Sequence, residues 1–392
     1  MKVLMFGWEF PPHISGGLGT ACHGLTHSLS QENIDVLFVV PKLQGGETAD
    51  RTRFINASDV PIAPHLPITQ YISKSAGSSE TRKTLFKVLE KKSGTQRIEV
   101  PSTLSPYRSP ALDEEASTIE HWNYSIEKEQ RDTTPGRMTL LPETKNEAHT
   151  ELEQVAYPFS GAYGPNLVEE VKRYAQVGAA IADQCEFDVI HAHDWMTYLA
   201  GIAAKKVSGK PLVVHVHATE IDRSGEQADP QVYAIEHQGM AEADCVVTVS
   251  HWTKNIAVSR YDVPEEKIKV VHNGIIPRAQ VDRLSFRLPV ASHIVTFLGR
   301  ITYQKGPLHF VEAARRVLDR FPEAHFVIAG SGDQLPLVIE RIAQLRMSSH
   351  FHFTGFLKGK DIEKVWSMSS VYVMPSVSEP FGIAPLEAIQ AT

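Results

Sequence analysis

Short apolar runs alternate with amphipathic segments along most of the chain, and this alternation predicts an α/β protein. The runs are apolar at nearly every position, as expected for strands of a parallel sheet that helices cover on both faces. In the first part of the chain, strands are predicted at Val3–Phe6, Asp35–Val40, Val189–His191, Pro211–His217, Cys245–Val249 and Lys267–His272. Helices are predicted between them at Thr20–Leu29, Asn166–Cys185, Trp195–Val207, Gln231–Ala241 and His251–Arg260.

After a polar, irregular stretch at Ile275–Pro289, the same alternation restarts. Strands are predicted at Ile294–Leu298, His325–Ala329, Phe351–Phe353 and Val371–Met374. Helices are predicted at Leu308–Phe321, Pro336–Leu345 and Lys360–Met368. We therefore expect two Rossmann-like, doubly wound domains that face a cleft, comprising residues 1–277 and 278–392.

The periodicity is lost between about Gln44 and Tyr157, where Ser, Thr, Pro, Lys and Glu are frequent. So long an irregular stretch inside a compact domain is typical of a functional insertion, a lid or disorder. We expect this insertion to be ordered mainly at its ends. Its sequence suggests no particular chemistry.

Composition narrows the possible functions. The 392 residues are 42% hydrophobic and 22% charged, which fits a soluble protein of two domains, and the net charge of -7 argues against a general nucleic-acid binder. The three cysteines, Cys22, Cys185 and Cys245, are widely spaced and favour reduced thiols over disulfides. No apolar run reaches the length of a membrane helix, so we expect a cytoplasmic protein, with room for peripheral membrane contact. The sequence makes no prediction about the oligomeric state.

Two turns of the first domain carry candidate binding residues. A glycine-rich turn after the first strand allows the backbone to approach a phosphate or a sugar, and its glycines are Gly16, Gly17 and Gly19. The segment His193-Asp194-Trp195 closes a strand and opens a helix. A purely structural role is the alternative, with Asp194 as a helix cap and His193 as an interfacial side chain.

Four histidines occur as two alternating pairs, His191 with His193 and His215 with His217. Each pair points to one face of its strand, and imidazoles arranged in this way could bind a metal ion. No cysteine ligand lies nearby in the sequence. We therefore predict that the protein has no metal site.

The first turn of the second domain places Arg300 and Lys305 five residues apart between glycines. Both side chains can reach one diphosphate. Arg300 can donate two parallel hydrogen bonds, and Lys305 provides a compact positive charge. The alternative is a solvated pair of surface cations. A second turn, Gly330-Ser331-Gly332, follows the next strand and is a weaker candidate, with Gly332 as its binding residue.

Glu379 and Glu387 lie eight positions apart, across a loop that leads into a helix near the end of the chain. Pro385 suits the first turn of that helix. The amides near the positive end of the helix, which suits a diphosphate, belong to Phe381, Gly382 and Ile383. The two oxygens of Glu387 suit the vicinal hydroxyls of a ribose, and Glu379 is placed to meet a sugar or its leaving group.

These motifs together resemble those of retaining glycosyltransferases with the GT-B fold. The carboxylates match the E-x7-E signature, residues 299–306 match the G-R-x4-K-G element, and residues 193–195 match the H-D-W element of glycogen and starch synthases and, more loosely, of family 4. The resemblance implies that Arg300 and Lys305 neutralise a leaving nucleoside diphosphate and that Gly332 lies beside the base. It also implies that Glu379 and His193 contact the donor sugar.

The resemblance further implies transfer of a hexose, with glucose favoured, from an ADP- or UDP-linked donor to a glucan or another saccharide, without a cofactor. Glycogen and starch synthases usually carry lysine where this chain has Ile14, which argues against a strict glycogen synthase. The first alternative is a nucleotide-sugar epimerase of the same architecture. The second is a non-catalytic nucleotide-binding remnant, because the family normally continues beyond the helix that carries Glu387 and the second domain is therefore expected to be incomplete.

Overall fold

The computed structural model describes residues 1–14, 16–62, 155–276 and 293–391. The first part of the chain forms a seven-stranded sheet, and the second part forms a four-stranded sheet. Strands within each of these two sheets are parallel, and helices connect most of them. This confirms the predicted α/β class and the two Rossmann-like domains.

The first sheet has the strand order β3-β2-β1-β6-β7-β8-β9, and a separate antiparallel pair joins β4 to β5. The strands are β1 (Lys2–Phe6), β2 (Asp35–Val40), β3 (Thr52–Asn56), β4 (Pro61–Ile62), β5 (Val155–Ala156), β6 (Val189–His193), β7 (Leu212–Val216), β8 (Cys245–Thr248) and β9 (Ile268–Val270). The helices are α1 (Gly17–Gln31), α2 (Leu167–Gln184), α3 (Trp195–Ser208), α4 (Glu220–Ser224), α5 (Pro230–Glu242) and α6 (His251–Tyr261).

Strand β1 shows why the apolar runs have no polar face. Leu4 and Phe6 are buried in the larger core of the first domain, together with residues of α2 and α3. Val3 and Met5 point to the opposite face and are buried in a second core beside Cys22 of α1. Because successive side chains of a strand alternate between the two faces, a strand covered on both sides must be apolar throughout.

The second sheet has the order β12-β11-β10-β13. Its strands are β10 (Ile294–Leu298), β11 (His325–Ala329), β12 (Phe351–Gly355) and β13 (Val371–Tyr372). Its helices are α7 (Pro307–Leu318), α8 (Leu335–Gln344), α9 (Lys360–Met368) and α10 (Ile383–Gln390). The core of this domain contains Phe297, Phe310, Phe326 and Ile328, all buried between the sheet and its helices.

In each sheet the order of the strands reverses at one place. Strand β1 lies between β2 and β6, and strand β10 lies between β11 and β13. Ligands of doubly wound domains bind at the carboxyl ends of the strands at such a switch point. The glycine-rich turn and the His193 segment follow β1 and β6, whereas the Arg300–Lys305 turn and the Glu379 loop follow β10 and β13.

The beginning of the predicted insertion is more regular than expected. Strand β3 lies inside the range assigned to the insertion, yet it forms the edge of the main sheet beside β2. Its sequence, Thr-Arg-Phe-Ile-Asn, mixes polar and apolar residues because an edge strand is only partly covered. The ordered ends agree with the expectation, while residues 63–154 lie outside the described part of the chain.

Other differences from the prediction are local. Helix α4 was not predicted, and β9 and β13 are each shorter than predicted. Most of the predicted linker, from residue 277 onward, lies outside the described residues, and so does the predicted domain boundary. None of the helices in the described ranges is both long and apolar enough to cross a bilayer.

Candidate functional site

The structure brings Lys305 and Glu379 together at the switch point of the second domain. Nζ of Lys305 lies 2.8 Å from Oε1 and 2.7 Å from Oε2 of Glu379. The hydroxyl of Ser376 donates to Oε2 of the same carboxylate at 2.8 Å. The side chains of Lys305 and Glu379 are only 22% and 17% exposed, so this ion pair is partly shielded from water. This arrangement differs from the solvated surface cation considered as the alternative.

Two loops must approach each other closely to form this pair. Gly306 has a φ of 64°, and a Cβ atom at this position would lie 2.1 Å from the carbonyl oxygen of Pro375. The backbone amide of Val377 donates to the carbonyl of Gln304 at 2.8 Å. Gly306 therefore allows the turn after β10 to lie directly against the loop after β13.

Arg300 and Gly332 belong to two turns that pack side by side. The amide of Ile301 donates to the carbonyl of Ser331 at 2.9 Å. A Cβ atom at Gly332 would lie 2.2 Å from the carbonyl oxygen of Ile301, so this close packing requires glycine. Arg300 is half-buried. Burial raises the pKa of the nearby Asp333 carboxyl, and the positive charge of Arg300 partly opposes this rise.

The loop after β13 ends at Gly382, which has a φ of 80° and directly precedes α10. Pro385 lies in the first turn of this helix, as predicted, and Glu387 lies in its second turn. Burial raises the pKa of the Tyr372 phenol, and the negative charges of Glu379 and Glu387 raise it further. Both carboxylates of the E-x7-E pattern therefore lie near the end of β13.

The turns of the first domain face this loop. A Cβ atom placed on Gly17 would lie 3.6 Å from Cδ1 of Ile383, the first residue of α10. The ring of His272, just after β9, stacks on the ring of Phe381 with centroids 5.6 Å apart. Predicted binding residues from both domains therefore border the same cleft.

His193 lies within a stack of imidazole rings at the ends of β6 and β7. Its Nδ1 is 2.9 Å from Nε2 of His217, and Nε2 of His191 is 3.3 Å from Nδ1 of His215. The rings of His191 and His193 stack at 4.3 Å, as do those of His215 and His217. His193 is fully buried, and its Nε2 has no hydrogen-bond partner among the described residues. A buried polar atom without a partner is uncommon in folded proteins and marks this ring for closer attention.

Burial favours the neutral form of all four rings. It lowers the pKa of His191 to about 3 and the pKa of His193 and of His215 well below the usual range. For His217 burial also lowers the pKa, although the nearby Asp194 carboxylate opposes this shift. Neighbouring histidines add to the shifts of His191, His193 and His215, because a second positive charge in the stack would be repelled.

Within the described ranges, His191, His193 and His215 form the one group of at least three residues whose geometry could hold a metal ion. Their ligand atoms lie within 4.8 Å of one another. Four of the ring nitrogens in the stack already pair with one another in two ring-to-ring hydrogen bonds. The absence of a metal site therefore stays a prediction.

Asp194 has a different role from the helix cap considered in the sequence. It precedes α3, but its side chain makes no capping bond to that helix. Its Oδ1 instead accepts from the amide of His217 at 2.7 Å, and its Oδ2 lies 3.4 Å from a guanidinium nitrogen of Arg223. Its φ of 58° is unusual for a residue other than glycine, and such backbone conformations concentrate at functional sites. Asp194 therefore fixes the loop after β7, and a direct contact with substrate stays a prediction.

Four residues that hold these groups in place were not among the predicted site residues. Glu9 is buried, and its Oε1 accepts from the amide of Gly19 at 3.1 Å. Ser376, Ser378 and Asp222 position the loop of Glu379. Hydroxyl and carboxyl side chains are frequent in loops, so no local signal separates these residues from ordinary turn residues.

Three family models match successive parts of the chain. Starch synthase catalytic domain matches residues 2–100, Glycosyltransferase Family 4 matches residues 140–278, and Glycosyl transferases group 1 matches residues 280–392. A glycogen synthase of Mycobacterium tuberculosis is 30% identical over 396 residues, which cover all of this chain and 76% of that protein. An uncharacterized glycosyltransferase of Methanocaldococcus jannaschii is 33% identical over 267 residues, with 64% of this chain and 67% of the relative covered.

Solved structures show the same fold at low sequence identity. Sucrose-phosphate synthase from Thermosynechococcus elongatus aligns with a TM-score of 0.61 at 16% identity, covering all of this chain and 79% of that one. Starch synthase IV from Arabidopsis thaliana, bound to ADP and acarbose, aligns with a TM-score of 0.55 at 15% identity over all of this chain and 81% of that one. HepE of Anabaena, in complex with UDP-glucose, aligns with a TM-score of 0.52 at 15% identity over all of this chain and 78% of that one.

Two facing Rossmann-like domains, with these solved neighbours, define the architecture of a GT-B glycosyltransferase. The chain belongs to the glycosyltransferases of the glycogen synthase type. The family, the fold and the enzyme class predicted from the sequence are therefore confirmed. The roles of the individual site residues stay predictions.

Proposed function

We propose that this enzyme transfers a hexose from a nucleoside-diphosphate sugar to a saccharide acceptor, with retention of the anomeric configuration. The observation that carries the proposal is the bidentate contact of Lys305 with Glu379, at 2.7–2.8 Å, beside the start of α10. At this place the cation can bind the diphosphate of a sugar nucleotide, and the carboxylate can bind its sugar. The ligands bound in the solved neighbours, UDP-glucose in one and ADP with acarbose in another, support this class of substrate.

Lys305, Arg300 and the start of α10 would stabilise the departing diphosphate. Lys305 exchanges part of its contact with Glu379 for phosphate oxygens, and Arg300 approaches from the same turn. The first amides of α10 add the positive end of the helix. Fixed cations and amides stabilise the charge that develops on a leaving group without requiring a metal or a cofactor.

Glu379 and His193 would hold the sugar, and Glu387 would bind the ribose. In this scheme, the bond between the anomeric carbon and the diphosphate oxygen breaks, and the acceptor hydroxyl attacks from the same face. A leaving phosphate oxygen takes the proton of that hydroxyl, so the configuration at the anomeric carbon is retained. The neutral ring of His193 can offer its Nε2 to a sugar hydroxyl.

The proposed donor is ADP- or UDP-linked glucose, and the proposed acceptor is a glucan or another saccharide. The glycogen synthase relative and the H-D-W element favour a glucan. Ile14, at the position where glycogen and starch synthases usually have lysine, argues against an identical donor site. The cytoplasmic location expected from the sequence is part of this proposal.

Isothermal titration of the protein with ADP and with UDP tests the donor site. We expect one of the two nucleotides to bind and Lys305→Ala to weaken that binding by about 10- to 100-fold, because hydrogen bonds to charged groups contribute roughly 1.5–3 kcal/mol. Lys364→Ala is the matched control, since this exposed lysine forms an ion pair with Asp361 in the same domain. Equal affinity of wild type and Lys305→Ala, or binding of neither nucleotide, would contradict the proposal.

A further inference from the structure

The segment from His217 to Arg223 contacts both halves of the site, although the proposed function assigns it no role. Within it, Thr219 and Asp222 form a capping box at the start of α4. The amide and the hydroxyl of Thr219 donate to Oδ2 of Asp222 at 2.9 Å and 2.8 Å. Asp222 is only 3% exposed, so its carboxylate is held in one orientation.

The second oxygen of this carboxylate reaches the other domain. The hydroxyl of Ser378 donates to Oδ1 of Asp222 at 2.6 Å, although the two residues are 156 positions apart. Ser378 directly precedes Glu379, whose carboxylate contacts Lys305. Since hydrogen bonds to charged acceptors are short and strong, this bond restrains the loop that carries Glu379.

The neighbouring residue, Arg223, is bound within the first domain. Its guanidinium donates to the carbonyl of Ala218 at 2.8 Å and to Oε1 of Glu236 at 2.9 Å. It also lies 3.4 Å from Asp194, the residue after His193. One short segment therefore connects the loop of Glu379 to the end of the strand that carries His193.

We propose that Asp222 is a positioning residue for the transfer reaction: through Ser378, it aligns the Lys305–Glu379 pair of the second domain with His193 of the first. This inference rests on the proposed function. The donor and the acceptor must enter and leave between the domains, so a bond across the cleft acts when the site is assembled. The packing of Gly17 near Ile383 and of His272 on Phe381 lies at the same boundary.

The bond contributes little to the folding of either domain. Thr219 already satisfies Oδ2 of Asp222 and caps α4 from within the first domain. Ser378 is a half-buried loop residue, and its replacement by alanine removes one hydroxyl but none of the groups that bond to the Glu379 carboxylate. A positioning role and a structural role therefore predict different results for Ser378→Ala.

We expect Ser378→Ala to lower kcat about 10-fold or more, the effect expected for losing a hydrogen bond to a charged group. Its melting temperature and nucleotide affinity should stay close to those of the wild type. Ser378→Thr keeps the hydroxyl and should recover most of the activity. Ser367→Ala is the matched control, because this half-buried serine donates to the carbonyl of Lys364 within its own helix, α9.

A double-mutant cycle with Asp222→Asn tests whether the two side chains act through their contact. We expect the double variant to be no slower than the slower single variant, because coupled residues have non-additive effects. The proposal would be overturned if the double variant lost kcat by the product of the two single losses. A wild-type kcat in Ser378→Ala would overturn it as well.

Small-angle scattering gives a readout that does not depend on turnover. With saturating nucleotide, Ser378→Ala should have a larger radius of gyration than the wild type and Ser367→Ala. An unchanged radius overturns the positioning role even if the wild type is active. Failure of the proposed function itself is recognised separately, because the wild type would then bind neither ADP nor UDP.

Discussion

At the scale of single residues, the stacked histidines illustrate how position determines chemistry. Burial lowers the pKa of His191, His193, His215 and His217, and neighbouring histidines lower the pKa of the first three further. A neutral imidazole can accept or donate a hydrogen bond, as contact with a sugar hydroxyl requires. The stability of the fold should therefore be sensitive to acid, because the unfolded chain binds protons that the buried rings of the folded protein do not.

This sensitivity can be measured with His191→Gln. The folded pKa of His191 is about 3, below the ordinary value of 6.5, so the unfolded state alone binds this proton between those pH values. The free energy of unfolding should therefore fall as the pH decreases below about 6.5, by at most about 1.4 kcal/mol per pH unit for this residue. His191 retains some solvent contact, so the measured slope should be smaller than this limit.

Urea denaturation of the wild type and His191→Gln at several pH values between 7.5 and 4.5 provides the measurement. The variant should lose less stability on acidification than the wild type. His237→Gln, which replaces an exposed histidine of α5, is the control and should retain the wild-type pH dependence. A steeper loss of stability in His191→Gln would show that the ring is not kept neutral by burial.

At the scale of elements, the packing of α2 on α3 depends on a glycine. A Cβ atom on Gly178 of α2 would lie 2.5 Å from the carbonyl oxygen of Ala200 in α3. The obstructing atom belongs to the backbone, so a rotamer change cannot relieve the overlap. The two helices approach closely because Gly178 has no side chain, and α3 carries the segment after His193 at its start.

Gly178→Ala should therefore destabilise the protein even though alanine is the better helix former. Overpacking of this kind typically costs about 1–3 kcal/mol, more than the roughly 1 kcal/mol that alanine gains over glycine in a helix. Gly24→Ala in α1 is the matched control, because its added Cβ atom would lie at an ordinary distance of 3.6 Å from the carbonyl oxygen of Gly274. Thermal unfolding should place Gly178→Ala below the wild type and Gly24→Ala at or above it.

At the scale of the whole molecule, the proposed reaction uses both switch points. Lys305, Glu379 and the amides proposed to bind the diphosphate belong to the second domain, whereas His193 and the glycine-rich turn belong to the first. A cleft between two such domains can exclude water from a reactive sugar and still admit an acceptor. This arrangement suits transfer to a second substrate better than rearrangement of a single sugar nucleotide.

We therefore expect release of nucleoside diphosphate and formation of a new linkage only when a saccharide acceptor is present. NMR of the product formed from an α-linked sugar nucleotide and a maltooligosaccharide should show an α-linkage, and Lys305→Ala should form little product. An inverted linkage would contradict the retaining mechanism. A changed sugar nucleotide formed without an acceptor would instead support the epimerase alternative.

Much of the fold follows from local patterns. The strands covered on both faces appear in the sequence as continuous apolar runs, and β10 and β11 have the predicted bounds. Strand β3 and helix α4 were missed because a half-covered edge strand and a five-residue helix carry too few periodic positions. The motif turns were recognisable because glycines, cations and carboxylates stand directly after predicted strands.

The sequence by itself determined the α/β class, the position of the turns at the carboxyl ends of the strands, and the resemblance to GT-B glycosyltransferases. These properties depend on which residue types occur within short stretches of sequence. Within such a stretch, backbone geometry fixes how often a side chain returns to the same face of a helix or strand. Only the tertiary structure decided that Lys305 contacts Glu379 across 74 positions, that Asp222 meets Ser378 across 156, and that Asp194 holds the loop after β7. Such contacts depend on strand order and on how the domains face each other, which no local pattern encodes.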